Sequence, residues 1–204
     1  MNRTFLTVLL LGLWMGNGFN GSAQAFCALR DPNAIIRELF PESTRFKSIT
    51  ATIGQEQVAE LEKATGIKCD PREFGRHRLY VVFKNGQIEG YVQSRSELVD
   101  WGIAEIIIGT DPNGALKGFR FQRCRSRQRK AVEAAPMQAL LAGLRETDLL
   151  QYVDREGLEK LQKKAGLPNT AKPLLRGVVL GAIKMQTLMR TVWHDEISAL
   201  EEPK

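Results

Sequence analysis

LYVVFKNGQIEGYVQSRSELVDWGIAEIIIGTDPNGALKGFRFQRC, residues 79–124, carries the reading of the fold. LYVVFK (79–84) and QIEGYVQS (87–94) are separated only by Asn85-Gly86, a pair that tolerates positive φ at both turn positions and so matches the twist of two antiparallel strands. GIAEIIIG (102–109) follows. From Ile103 to Ile108 its sole polar residue is Glu105, so both faces are apolar and the strand belongs in the middle of a sheet. Asp111-Pro112-Asn113-Gly114 is a turn, and ALKGFRFQRC (115–124) is the next strand. The stretch predicts an antiparallel meander of about four strands.

Toward the N-terminus, Asp31-Pro32 opens a short helix through Ile35, Ile36 and Leu39 that stops at Phe40-Pro41, because proline disfavours helix in the residue before it. Arg45 to Thr52 reads as a strand. Thr52-Ile53-Gly54-Gln55 has the form of a capping box ahead of a helix that carries Val58, Leu61 and Thr65 on one face and ends at Gly66. Lys68 to Arg78 reads as a polar loop, with His77 a neutral surface imidazole between Arg76 and Arg78.

Beyond the meander the apolar period lengthens from a strand's to a helix's. Met137–Leu144 is a short helix, and Thr147–Ala165 is one helix or two, with Asp154 as an internal cap. Ala171–Val192 is long. Leu174, Val178, Ala182, Met185, Met189 and Val192 make a stripe that must lie on the sheet or another helix, and Gly177 with Gly181 allows close packing. The expectation is one α+β domain over 26–204, helical from about 132.

With 204 residues, 43% of them hydrophobic, the chain can bury one sizeable core. The first 25 residues read as an export signal: Arg3, the apolar run FLTVLLLGLW (5–14), and Ala23-Gln24-Ala25 with cleavage after Ala25. An uncleaved membrane anchor is the alternative, against which the apolar run falls short of the ~20 residues a span requires, and the mature chain is expected to have no transmembrane span. Export points to a bacterial periplasm, where thiols oxidise. Cys27, Cys69 and Cys124 allow three pairings with one thiol left over. Cys27–Cys124 is the pairing expected here, since both residues sit in polar, arginine-containing segments beside apolar anchors.

Candidate chemistry concentrates in FRFQRCRSRQRK (119–130). In an extended chain Arg123, Arg125, Arg127 and Arg129 share one side and continue the face of Phe119 and Phe121. Guanidinium groups grip phosphate bidentately, which points to a phosphorylated cofactor; a solvated basic edge that blocks strand pairing is the other reading. Nucleic acid is not an expected partner of an exported chain, despite 29 Lys+Arg against 23 Asp+Glu. Trp101, at the turn into the central strand, either stacks on a ring system or caps one end of the core. The chain lacks H-E-x-x-H, G-x-S-x-G, C-x-x-C and a glycine-rich phosphate loop, and His77 and His194 have no ligand partners at metal spacing.

Leu39-Phe40-Pro41, then Gly90-Tyr91-Val92, then Gly102 leading into EIIIGTDPNGALKGF (105–119), resembles the FMN-binding domain of periplasmic electron-transfer proteins, over about residues 35–130. Such domains occur in the Rnf electron-transport complex, the sodium-pumping quinone reductase and the nitrous-oxide-reductase regulator. The resemblance implies FMN as cofactor, electron transfer as function, and a redox partner protein in the periplasm or at the inner membrane. It implies Arg123, Arg125 and Arg127 on the flavin phosphate, Tyr91 or Trp101 near the ring, and Thr170 at the place of the threonine that the family esterifies with FMN. The family's Ser/Thr-Gly-Ala-Thr reads here Pro168-Asn169-Thr170-Ala171-Lys172-Pro173, without Gly-Ala, which makes Thr170 an ordinary helix N-cap and any flavin non-covalent. The alternative is a flavin-free accessory module on the same fold, binding a partner protein through the basic edge.

Overall fold

The computed structural model describes residues 31–201, so the expected export signal and Cys27 lie outside the described residues. The order of elements is α1 (Asn33–Leu39), β1 (Arg45–Ile53), α2 (Gln55–Thr65), a 3-10 turn (Pro71–Glu73), β2 (Gly75–Lys84), β3 (Gln87–Val99), β4 (Gly102–Thr110) and β5 (Leu116–Arg123). Helices follow: α3 (Arg129–Glu133), α4 (Ala135–Leu141), α5 (Glu146–Leu150), α6 (Arg155–Lys164), a 3-10 turn (Asn169–Ala171), α7 (Lys172–Thr191) and α8 (His194–Glu201). The fold is α+β, with one open antiparallel sheet in the order β1-β2-β3-β4-β5.

The meander is as expected from Leu79 onward, with β4 in its interior and Asn85 and Gly86 at φ 51° and 87° in the hairpin turn. It gains a fifth strand because Lys68–Arg78 does not stay a loop: Gly75–Arg78 belong to β2 and pair with β1. Arg76 and Arg78 point out while His77 and Leu79 point in, so the strand's period of two is present, but a buried histidine stands where an apolar residue would have announced it. A bulge interrupts β2–β3, where Val82 faces Gly90 but Phe83 faces Ile88, leaving Glu89 as the extra residue.

α7 lies on one face of the sheet. Val178, Ala182, Met185 and Met189 share a core with Ile106, Ile108, Phe119 and Phe121. The glycine pair serves this contact and no helix–helix contact: a Cβ at Gly177 would sit 3.0 Å from Val99 Cγ1, and one at Gly181 3.0 Å from Ile108 Cδ1. On the opposite face Ile36, Leu39 and Phe40 of the α1 region cover Tyr80, Val82, Val92 and Ile107. No helix of the described residues is long and apolar enough to cross a membrane.

Several local expectations are corrected. The cap of α2 is two residues later than read: Gly54 is the N-cap, its N–H donates to Gln57 Oε1 at 3.0 Å, and Thr52 remains in β1. Met137 lies inside a helix that opens at Ala135 and ends at Leu141. The segment 147–165 resolves into α5 and α6, with Gly157 N donating to Asp154 Oδ1 at 2.7 Å as the cap of the second. Thr170 caps nothing: it is exposed in the 3-10 turn, and Ala171 occupies the N-cap of α7. His194 opens α8 and does not end α7. Trp101 is 59% exposed and caps no core.

Candidate functional site

The arginine-rich segment does not continue as a strand. β5 ends at Arg123, and Arg129 opens α3. Glu133 Oε1 accepts the Phe121 N–H at 2.6 Å, while Arg129 donates to the Phe121 carbonyl and pairs with Glu133 Oε2 at 3.1 Å. Side chains of α3 thus satisfy the edge of β5, which is what stops its extension. Phe119 and Phe121 keep the predicted inward face, buried with their rings edge-on at 5.8 Å.

Arg123, Arg125 and Arg127 are exposed. Arg123 faces Glu105 in the sheet, a few residues from the β3–β4 turn that holds Trp101, and the start of α7 lies near the same end, since Gly177 abuts Val99. Tyr91 is at the other end, paired with Thr110 and 1% exposed in the core. Thr110 and Glu105 are five positions apart on β4, roughly 17 Å of extended chain. The structure brings Trp101, Arg123 and the segment before α7 to one end of the sheet and leaves Tyr91 out.

A site that the sequence reading missed lies where the sheet splits. β2 and β3 pair only from Leu79–Gln93 to Lys84–Gln87. Before Leu79, β2 stays with β1, and after Gln93, β3 stays with β4. A cleft of about 560 Å³ lies beside the opening, between β3, α7 and the chain that leads into β2. The chain between α2 and β2 supplies Ile67, Lys68, Cys69, Asp70 and Glu73 to it, β3 supplies Ser96, Glu97 and Leu98, and α7 supplies Arg176, Leu180 and Lys184.

Its floor is a buried charge cluster. Lys184 Nζ donates to Glu73 Oε1 at 2.7 Å and to Glu97 Oε2 at 2.9 Å. Arg95 donates to Glu73 Oε2, and its Nε stands 3.8 Å from Glu97 Oε1. The N–H of Asp70 adds 3.1 Å to Glu73 Oε1, and His77 Nε2–H donates to the Glu73 carbonyl at 2.6 Å. Glu73, Arg95, Glu97 and Lys184 are 6%, 2%, 4% and 3% exposed. Two carboxylates and two cations balance formally, which is the condition for burying charge without a large penalty.

The cluster separates the two carboxyls electrostatically. Burial pushes Glu73 up, but Arg95 and Lys184 together with the Asp70 N–H outweigh it and hold Glu73 below the ordinary value. For Glu97 burial wins over Lys184 and Arg95, and its proton affinity is raised. Burial, then the charge of Arg95, drives His77 down to about 4, so it is neutral as read but inside the protein, where a surface imidazole was expected. Burial and the neighbouring Glu73 push the Cys69 thiol up to about 11, which makes it a poor nucleophile.

A partial signal for this cluster exists in the chain. Arg95 and Glu97 continue the inward alternation of Tyr91 and Gln93, and Lys184 interrupts an otherwise apolar stretch of α7. Charged residues at inward positions mark a buried polar site. Glu73, from a stretch read as loop, carried no such mark. Cys69 and Cys124 form no disulfide with each other, and among the described residues no group of three or more His, Cys, Asp or Glu side chains is placed to hold a metal ion. Compared with known proteins, the chain matches no family model and no curated protein, so its own geometry carries the functional argument.

Proposed function

We propose that the protein is an exported, flavin-free accessory module on a fold like that of the FMN-binding domain, engaging a partner through the basic end of β5. The observation that carries this reading is that Arg123, Arg125 and Arg127 stand in solvent without an ion pair among the described residues, while Tyr91 is sealed in the core. Exposed guanidinium groups at the end of β5 and in the turn that follows it favour an acidic protein surface, binding with fast, salt-sensitive association. Covering β5 with α3 keeps that end from pairing with other strands and leaves its charge available.

Protein purified from a periplasmic preparation is expected to be colourless and to take up no added FMN. Flavin absorbance that persists through purification overturns the reading. Reversing Arg125 and Arg127 to glutamate is expected to abolish salt-sensitive capture of the partner by crosslinking while leaving the fold intact.

A second reading, periplasmic electron transfer with a dissociable FMN and a redox partner, is favoured by one observation. Trp101, Arg123 and the segment holding Thr170 lie toward the same end of the sheet. The same spectrum distinguishes it, since a dissociable flavin is lost on denaturation.

A further inference from the structure

The cleft has apolar walls: Ile67 ahead of β2, Leu98 and Ile103 opposite each other on β3 and β4, Val153 ahead of α6, and Leu180 of α7. Ile103 and Val153 are half-buried, and Leu98 is 54% exposed, so these walls are not closed against one another. A leucine left bare at the rim of a concavity points to an apolar occupant. The volume of about 560 Å³ is that of a small-molecule site.

The charges around these walls set the head group and the length of that occupant. Lys68 is paired with Glu62 at 2.6 Å, and Lys184 stands between Glu73 and Glu97 at 2.7 and 2.9 Å. Asp70 is engaged as well. Arg176 is exposed and makes no ion pair among the described residues, so it is the lining cation left for an anion from outside. Its planar guanidinium suits a carboxylate, which it can hold through two parallel N–H···O bonds. Arg176, Leu180 and Lys184 follow one another at intervals of four on α7 and line the same cleft. Lys184 therefore stands about 12 Å along the axis from Arg176, with Leu180 midway. An apolar body anchored at Arg176 passes Leu180 and then meets the ionic floor, where further hydrocarbon finds no apolar surface to cover.

We propose that the cleft binds a monocarboxylate with a short apolar body, its carboxylate on Arg176 and its hydrocarbon between Leu98, Ile103, Val153 and Leu180. The buried cluster of Glu73, Arg95, Glu97 and Lys184 keeps its own pairs and forms the blind end of the site. None of these residues belongs to the basic end of β5, so the site stands or falls apart from the partner and flavin readings.

Backbone amide shifts of the isotope-labelled mature chain, titrated with butanoate, hexanoate, decanoate, hexanol and hexylammonium, test the proposal. Hexanoate is expected to shift Ile67, Leu98 and Leu180 saturably. It should bind at least about tenfold more tightly than hexanol, as the loss of a charged hydrogen bond requires, and about tenfold more tightly than the shorter butanoate. Decanoate, which reaches the ionic floor, is expected to bind no more tightly than hexanoate. Arg176→Ala is expected to remove the preference for hexanoate over hexanol, and Arg176→Glu to turn it toward hexylammonium. Arg176 is exposed, so both variants keep the fold, and circular dichroism verifies this. The proposal is overturned by hexanol binding as tightly as hexanoate, or by a preference that survives Arg176→Ala. Affinity that climbs from hexanoate to decanoate as steeply as from butanoate to hexanoate, saturable shifts at Arg125 and Arg127 in place of the cleft, or no saturable shift from folded protein would each overturn it as well.

Discussion

Lys184 Nζ lies 2.7 Å from Glu73 Oε1 although 111 positions separate the two residues in the chain. The contact joins the long helix to a turn at the mouth of the split sheet, and Glu97 of β3 shares the same ammonium at 2.9 Å. One side chain therefore ties helix, turn and strand together inside the protein, with both carboxylates at its end nearly inaccessible to water.

Lys184→Met is expected to cost about 3–5 kcal/mol, because it leaves two buried carboxylates with Arg95 as the one cation between them. Urea denaturation followed by circular dichroism measures it. The double variant Lys184→Met, Glu97→Gln removes a charge of each sign and is expected to recover part of the loss. A single variant as stable as the parent would show that water enters the cluster.

Stability should fall on the acid side through His77. Its folded value is depressed from 6.5 to about 4. The unfolded chain therefore binds the proton first, and the contribution is complete above 6.5 and lost as pH falls toward 4. His77→Gln should remove up to about 3 kcal/mol of pH-dependent stability across that window. Glu97 acts with the opposite sign: its raised folded value favours the folded state below 4.5 and that advantage is lost as pH rises through it, so Glu97→Gln should flatten this trend. Urea midpoints between pH 4 and 8 separate the two. Parallel profiles for parent and His77→Gln would contradict a buried, neutral imidazole.

Gly90→Ala should be among the most damaging small substitutions. A Cβ there would fall 2.1 Å from the Thr110 carbonyl and 2.7 Å from the Phe40 ring. The first neighbour is backbone of β4 and cannot swing away, so strands or the Phe40 cover must shift, at a cost of about 3 kcal/mol. The thermal midpoint reports this. An unchanged midpoint would mean that the bulge at Glu89 absorbs the methyl group.

Thiol counting addresses the cysteines. Denatured, unreduced protein is expected to show one free thiol, Cys69, if Cys27 pairs with Cys124. In the native state that thiol, pushed up to about 11, should react with a disulfide reagent far more slowly at pH 8 than after denaturation. Three reactive thiols in the denatured protein would end the Cys27–Cys124 pairing.

The legible part of the fold was the part ruled by short-range rules. Asn85-Gly86 dictates a hairpin because positive φ is tolerated there, the Ile103–Ile108 run dictates an interior strand because neither face tolerates water, and the stripe of α7 dictates a helix lying on apolar surface. The reading failed where a local pattern was carried by polar residues. Gly75–Arg78 alternates as a strand, but with histidine on the buried side, and the arginines after Phe121 alternate as a strand although Glu133 and Arg129 end it from a helix.

By itself the chain determined its class, an antiparallel meander with helices behind it, since hydrophobic period and turn residues act over a few positions. Only the tertiary structure decided where the chemistry lies. Whether a charged side chain meets solvent or an opposite charge depends on which distant segment arrives beside it, and Glu73, Arg95, Glu97 and Lys184 become one cluster only because β2 and β3 part where α7 crosses them.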